Sequence, residues 1–152
     1  MSITSPSSTL HDTAVRQIAR SMFSFANGEV YPGLINPTWG TYTNVAGEQN
    51  MPVHHRWEGT LWPDIVMVDT ERANSPRLIV EVETEETINE TTLDRVWKLD
   101  MDECPIFYLF VPAGTATKAA ELLLKFRGMC KIPRALYTYE FDDLYNVVVT
   151  PV

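Results

Sequence analysis

The stretch Pro63–Glu83, PDIVMVDTERANSPRLIVEVE, constrains this chain more than any other part of it. Ile65 to Val68 are apolar and strand-prone, and Pro63 suits a strand's first position, where no ladder donor is needed. The ERANSP run supplies turn residues, and Leu78 to Val82 form a second strand-prone run. A β-hairpin is therefore expected, with Asp64 at the mouth of its first strand. Side chains alternate along a strand, so Leu78, Val80 and Val82 share one face while Ile79, Glu81 and Glu83 share the other. That second face has an apolar base and a doubly acidic end.

Two carboxylates spaced by one residue, with a third from the neighbouring strand, form an oxygen-rich corner suited to Mg²⁺ or Mn²⁺. Such hard cations take carboxylate, carbonyl and water ligands, and the Val82 carbonyl is expected within reach of the same ion. The bound cation would acidify a water and offset charge on a phosphate. The blander alternative is an exposed strand edge, or glutamates paired with arginines. The flanking Val, Ile and Leu favour a central strand, where bare carboxylates cost several kcal/mol unless paired or metal-bound.

The chain has 152 residues, 45% of them hydrophobic, which is enough to bury a core and points to a single domain over 1–152, with 1–8 as a flexible tail. The net charge of −8 argues against a surface that grips nucleic acid as a whole, because such binding depends on Lys and Arg displacing counterions. A local basic strip at Arg16 and Arg20 is the available exception. The opening SITSPSS lacks a basic segment followed by an apolar core, and no apolar run approaches the roughly 20 residues of a spanning helix. No membrane role and a cytoplasmic setting are expected. Cys104 and Cys130 lie far apart without a CxxC pattern, and both are read as buried thiols.

Taken in order, the chain opens with a helix from about His11 to Ala26, capped by Ser8 or Thr9. Its apolar stripe is Leu10, Ala14, Val15, Ile18, Ala19, Met22 and Phe23. A short strand over 29–34 and an ordered loop bearing Trp39 and Tyr42 follow. A strand over 52–58 carries His54 and His55, which point to opposite faces and so cannot both enter one site. After the hairpin, Thr87 and Glu90 fit a capping box, and Leu93, Val96, Trp97 and Met101 form a helical stripe. Ile106 to Val111 reads as a strand covered on both faces, joined to the hairpin by a parallel crossover. A helix over 115–127 comes next, whose Leu122, Leu123 and Leu124 widen the stripe toward a partner surface and a homodimer. Two strands around Asp142-Asp143 end the chain.

Pro63-Asp64 opening a strand, and Glu81-Val82-Glu83 closing the next, resemble the PD-(D/E)xK nuclease superfamily. The likeness covers roughly Met51 to Pro112. It implies an α/β restriction-endonuclease-like core: a mixed central sheet flanked by helices in αβββαβ order, here with a C-terminal helix and β-hairpin. By that resemblance Asp64 and Glu81 are metal ligands and Glu83 stands where the superfamily usually has lysine. Lysine there would orient the attacking water, a role an ionised glutamate fills only in part. Lysine moved onto the following helix is a pattern of the superfamily, which makes Lys98 the candidate replacement, ahead of Arg95. Asp94 and Asp102 stand four residues to either side of Lys98, the spacing of ordinary helix ion pairs worth about 0.2–0.5 kcal/mol each. Members often carry an acid on the first helix, where Asp12 is the one available.

The expected function is therefore hydrolysis of phosphodiester bonds in DNA or RNA with Mg²⁺ or Mn²⁺, through Asp64, Glu81, Glu83 and Lys98. The alternative is a catalytically inactive member of the same fold acting as a nucleic-acid-binding or protein-interaction subunit. A third reading is an interaction domain unrelated to nucleic acid, which the acidic charge favours. No GxSxG elbow, Walker A loop or GxGxxG is present. A glycosidase would need a larger sugar cleft than this chain readily provides.

Overall fold

The computed structural model describes residues 6–23, 38–126 and 134–152. Helix α1 (Pro6–Met22) opens the chain, five residues earlier than the sequence predicts, because the fixed φ of proline suits a helix's first position. Residues 6–8, assigned above to a tail, are thus its first turn. The expected continuation to Ala26 and the strand over 29–34 lie outside the described residues, as does Cys130.

Seven strands make one mixed sheet in the order β2-β1-β5-β6-β7-β8-β9. They are β1 (Trp39–Val45), β2 (Glu48–Gln49), β5 (Ile65–Asp69), β6 (Ser75–Val82), β7 (Phe107–Pro112), β8 (Arg134–Phe141) and β9 (Val147–Pro151). A separate hairpin pairs β3 (Val53–His55) with β4 (Gly59–Leu61). Strands β1, β5 and β6 run antiparallel, β6, β7 and β8 parallel, and β9 returns antiparallel to β8. The fold is α/β.

Between β6 and β7 the chain forms a 3₁₀ turn (Glu85–Thr87) and then an unbroken helical run. The run consists of α2 (Glu90–Thr92), a π turn over Leu93–Trp97 and α3 (Lys98–Glu103). The N-cap is Asn89, whose side chain accepts from Thr92 N–H at 2.9 Å. Thr87, expected in a capping box with Glu90, instead closes the 3₁₀ turn onto Thr84. Helix α4 (Ala116–Leu123) follows β7, and a 3₁₀ turn extends it over Leu124–Phe126.

The sheet buries a core on each face. On one, Ala14, Val15 and Ile18 of α1, with Phe23 just after it, pack against Ile65, Met67, Leu78, Val80, Val82 and Phe110. On the other, Val66, Val68, Ile79 and Leu109 meet Leu93, Trp97 and Met101 of the helical run and Ala119, Leu122 and Leu123 of α4. The alternation expected for Leu78 to Val82 is the one observed. Leu122 and Leu123 are taken up by the chain's own core, and Leu124 alone of the three leucines is exposed. No homodimer surface follows from that triplet.

Trp39 and Tyr42 correct the loop reading of their segment: β1 is a strand of the main sheet, paired with β5 from Trp39↔Asp69 to Thr43↔Ile65. Its Gly, Thr and Asn content hid it, because buried polar side chains look like loop residues until their partners are known. Thr41 Oγ1 donates to the Phe23 carbonyl. Asn44 Nδ2 donates to the carbonyls of Met51 (2.7 Å) and Pro63 (2.8 Å), and its Oδ1 accepts from Asn50 and Met51 N–H. One buried amide thereby fixes the backbone immediately before Asp64. Asn44→Ala strands these groups and should lower stability by about 2–3 kcal/mol, read as a shift in the urea midpoint at unchanged m-value.

Candidate functional site

Asp64 and Glu81 stand opposite each other because Ile65 pairs with Val80 in the β5–β6 ladder. Asp64 N–H donates to Glu81 Oε1 at 3.3 Å, and Val82 N–H donates to Asp64 Oδ2 at 2.8 Å. The Val82 N–H thus holds the Asp64 carboxylate. His11 arrives from α1 beyond the sheet's end, with Nε2 3.2 Å from Asp64 Oδ2 and Nδ1 3.1 Å from Asp12 Oδ1. The first helix therefore contributes a histidine to Asp64, with Asp12 behind it.

Glu83 lies just past β6 and is 7% exposed. Trp97 Nε1 donates to its Oε2 at 2.7 Å, and Thr87 Oγ1 donates to its Oε1 at 3.2 Å. Tyr139 O–H donates to its backbone carbonyl at 2.6 Å. Strand, 3₁₀ turn, π turn and β8 so converge on one residue. The π turn is the unusual element, a wider coil that in other helices accompanies functional sites.

Asp100, on α3, completes the group. It is 2% exposed, lies within hydrogen-bonding reach of Glu81, and its Oδ2 has no hydrogen-bond partner. Together with His11, Arg95 and the stretch Thr60 to Pro63 at the end of β4 and just after it, the carboxylates of Asp64, Glu81, Glu83 and Asp100 line a cavity of about 360 Å³. Lys98 does not line it: Lys98 Nζ bonds Asp94 Oδ1 at 2.8 Å, the i,i+4 pair that helix spacing allows. Arg95, the lesser candidate in the sequence, does line it.

Like charges in a buried space set the electrostatics. Burial raises Glu81 well above the usual carboxylate range, and Asp100, Asp64 and Glu83 push it further. Burial raises Asp100 too, while its hydrogen bond with Glu81 pulls it back, so the two carboxyls titrate as one unit. Glu83 is raised to about 7 by burial, against the lowering by its Trp97 bond. For His11 burial lowers the pKa, but Asp64 and Asp12 outweigh it and raise the group to about 9. His11 is consequently an imidazolium at neutral pH.

The donors are all hard oxygens of the kind Mg²⁺ and Mn²⁺ take, and Asp100 leaves one buried oxygen unpartnered, so the residues fit such a cation in chemistry. Their spacing is another matter. Among the described residues, no group of three or more His, Cys, Asp or Glu is spaced to hold a metal ion. Asp64 and Glu83 are instead turned onto protein donors.

His55 has a structural task. Its Nδ1 accepts from Trp57 and Glu58 N–H, which leaves the proton on Nε2 for Asp102 Oδ2 at 2.8 Å and ties the β3–β4 hairpin to α3. His54 is exposed. Arg16, half of the expected basic strip, lies 3.4 Å from Glu48. Asp100 and His11 were missed by the sequence reading. Asp100 had a signal: it sits seven residues after Leu93 and three after Trp97, an acid on an apolar stripe. His11 had none, since its partner is 53 residues away. No family model, curated protein or solved structure matches the chain. Among the described residues, no helix is long and apolar enough to cross a membrane.

The raised Glu83 carries a pH signature. Its folded-state pKa of about 7 lies above the ordinary 4.5, so the stability it contributes is complete below pH 4.5 and is lost as pH rises through 7. In chelator, wild type should lose about 3 kcal/mol relative to Glu83→Gln between those limits, roughly 6–12 °C in Tm. Melting curves at pH 4.5, 6, 7 and 8 test this, and a wild-type-minus-variant difference that stays flat rejects it.

Proposed function

We propose that this chain is a nuclease-like protein of the PD-(D/E)xK type, with a restriction-endonuclease-like core, that hydrolyses phosphodiester bonds in DNA or RNA with Mg²⁺ or Mn²⁺. The observation that carries this reading is the facing of Asp64 and Glu81 across one ladder, in a cavity two further carboxylates share. Asp64 and Glu81, with the Val82 carbonyl, are the residues proposed to hold the cation. When bound, the cation supplies an acidified water and charge to offset a phosphate.

The chain's own groups have definable parts in such chemistry. Glu83, held by Trp97 and Thr87 and titrating near 7, is suited to take a proton from water at neutral pH. Arg95 at the cavity offers a guanidinium to phosphate oxygens. His11 holds the Asp64 carboxylate from the α1 side. Lys98 lies outside the cavity lining, paired with Asp94 on the helix surface.

One observation favours a second reading, in which the same site binds without cleaving. Both oxygens of Glu83 are occupied by protein donors, where a lysine would leave a free ammonium for water or phosphate. Cleavage of single-stranded, double-stranded and branched DNA and RNA in Mn²⁺ or Mg²⁺ separates the two. A catalytic protein should show metal-dependent products that fall about 100-fold or more in Glu81→Gln and Asp64→Asn, with Lys98→Ala unchanged. Activity that survives in Glu81→Gln rejects the assignment, and none on any substrate leaves the binding role.

A further inference from the structure

Asp100 stands apart from the other carboxylates because its surroundings give it no reason to be an acid. The position belongs to the apolar stripe that Leu93, Trp97 and Met101 define, and each of those is buried. A leucine or methionine there would bury without a desolvation cost, whereas a carboxylate oxygen stripped of water and left without a donor costs several kcal/mol. Asp100 Oδ2 is that oxygen. The other acids of the cavity have protein donors: Asp64 has Val82 N–H and His11, Glu81 has Asp64 N–H, and Glu83 has Trp97 and Thr87. Lys98, two residues before Asp100, bonds Asp94 instead. The contact with Glu81 engages the other oxygen of Asp100 and leaves Oδ2 without a partner.

We propose that Asp100 is a ligand of the divalent cation, supplied by helix α3 beside Glu81 and aimed into the cavity that Asp64 also lines. This rests on the metal-dependent reading above and extends it to a residue outside the strand motif. Hard cations are satisfied by anionic oxygen, and the side chain that carries the unpartnered oxygen lies beside the Glu81 carboxylate that the hairpin provides. Asp100 also explains the role of the helical run: it brings an acid to the sheet face on which Glu81 and Glu83 lie.

The test uses the full chain and Mn²⁺ alone. Asp100→Asn keeps the size of the side chain and an amide that can donate to Glu81, while removing the charge. Calorimetric titration should show Mn²⁺ affinity weakened about 10-fold or more in Asp100→Asn, and unchanged in the surface control Asp94→Asn. Without metal, Asp100→Asn should melt at or above the wild-type temperature, since a like charge has gone, but Mn²⁺ should no longer raise it. Equal Mn²⁺ affinity in wild type and Asp100→Asn, with loss in Glu81→Gln, overturns the assignment and leaves the metal reading standing. Absence of Mn²⁺ binding by wild type overturns both. Should Asp100→Asn not fold, carboxyl ¹³C spectra of the aspartate-labelled wild type decide. On adding Mg²⁺, the Asp100 resonance should move with that of Asp64; a stationary Asp100 beside a moving Asp64 refutes its role.

Discussion

Holding acidic groups out of water is the requirement on which the rest of this structure depends. Asp64, Glu81, Glu83 and Asp100 share one cavity, and each repels the charge of the next. Without compensation, such a cluster would favour the unfolded chain, where water solvates every carboxylate. The fold offsets the cost by several means at once. A backbone N–H reaches Asp64 and another reaches Glu81, an indole and a hydroxyl hold Glu83, a hydrogen bond links Glu81 to Asp100, and an imidazolium lies against Asp64.

Those means come from elements far apart in sequence, and the architecture follows from bringing them together. The antiparallel β5–β6 pair sets Asp64 against Glu81, while the parallel β6–β7 pair requires a crossover long enough to carry a helix. That crossover places Trp97 and Asp100 over the acidic end of β6. On the opposite face α1 packs Val15 and Ile18 onto the sheet, and its first turns deliver His11 to Asp64 at the start of β5. Asn44 and the β3–β4 hairpin close the remaining side, the one by fixing Pro63, the other by anchoring His55 to α3. Core packing and site geometry are thus two results of the same placements.

Legibility in the sequence varied with the range of the signal. The hairpin, its alternation, the parallel crossover and the final pair of strands were readable, because each leaves a local period of apolar residues flanked by turn formers. The strand at Trp39–Val45 was not, since Thr41 and Asn44 are buried through bonds to Phe23, Met51 and Pro63 that no local pattern records. The helix after Glu83 was found, but its cap was placed at Thr87 rather than Asn89. Within the site, Asp64, Glu81 and Glu83 were found by strand spacing. Lys98 enters only through the family resemblance, as a lysine on the following helix, and the structure pairs it with Asp94; Arg95, its neighbour by three residues, lines the cavity.

By itself, the sequence determined that two apolar strands would form a hairpin with acids at one end, since alternation and turn chemistry are local properties. It determined also that a helix would cross to a buried parallel strand. Only the tertiary structure decided what those acids meet. His11 bonds Asp64 across 53 positions, Trp97 donates to Glu83 across 14, and Asp100 approaches Glu81 from a different element. The proton affinity of a carboxylate depends on the water it has lost and the charges around it. Both are fixed by the packing of sheet against helices, which no stretch of the chain encodes alone.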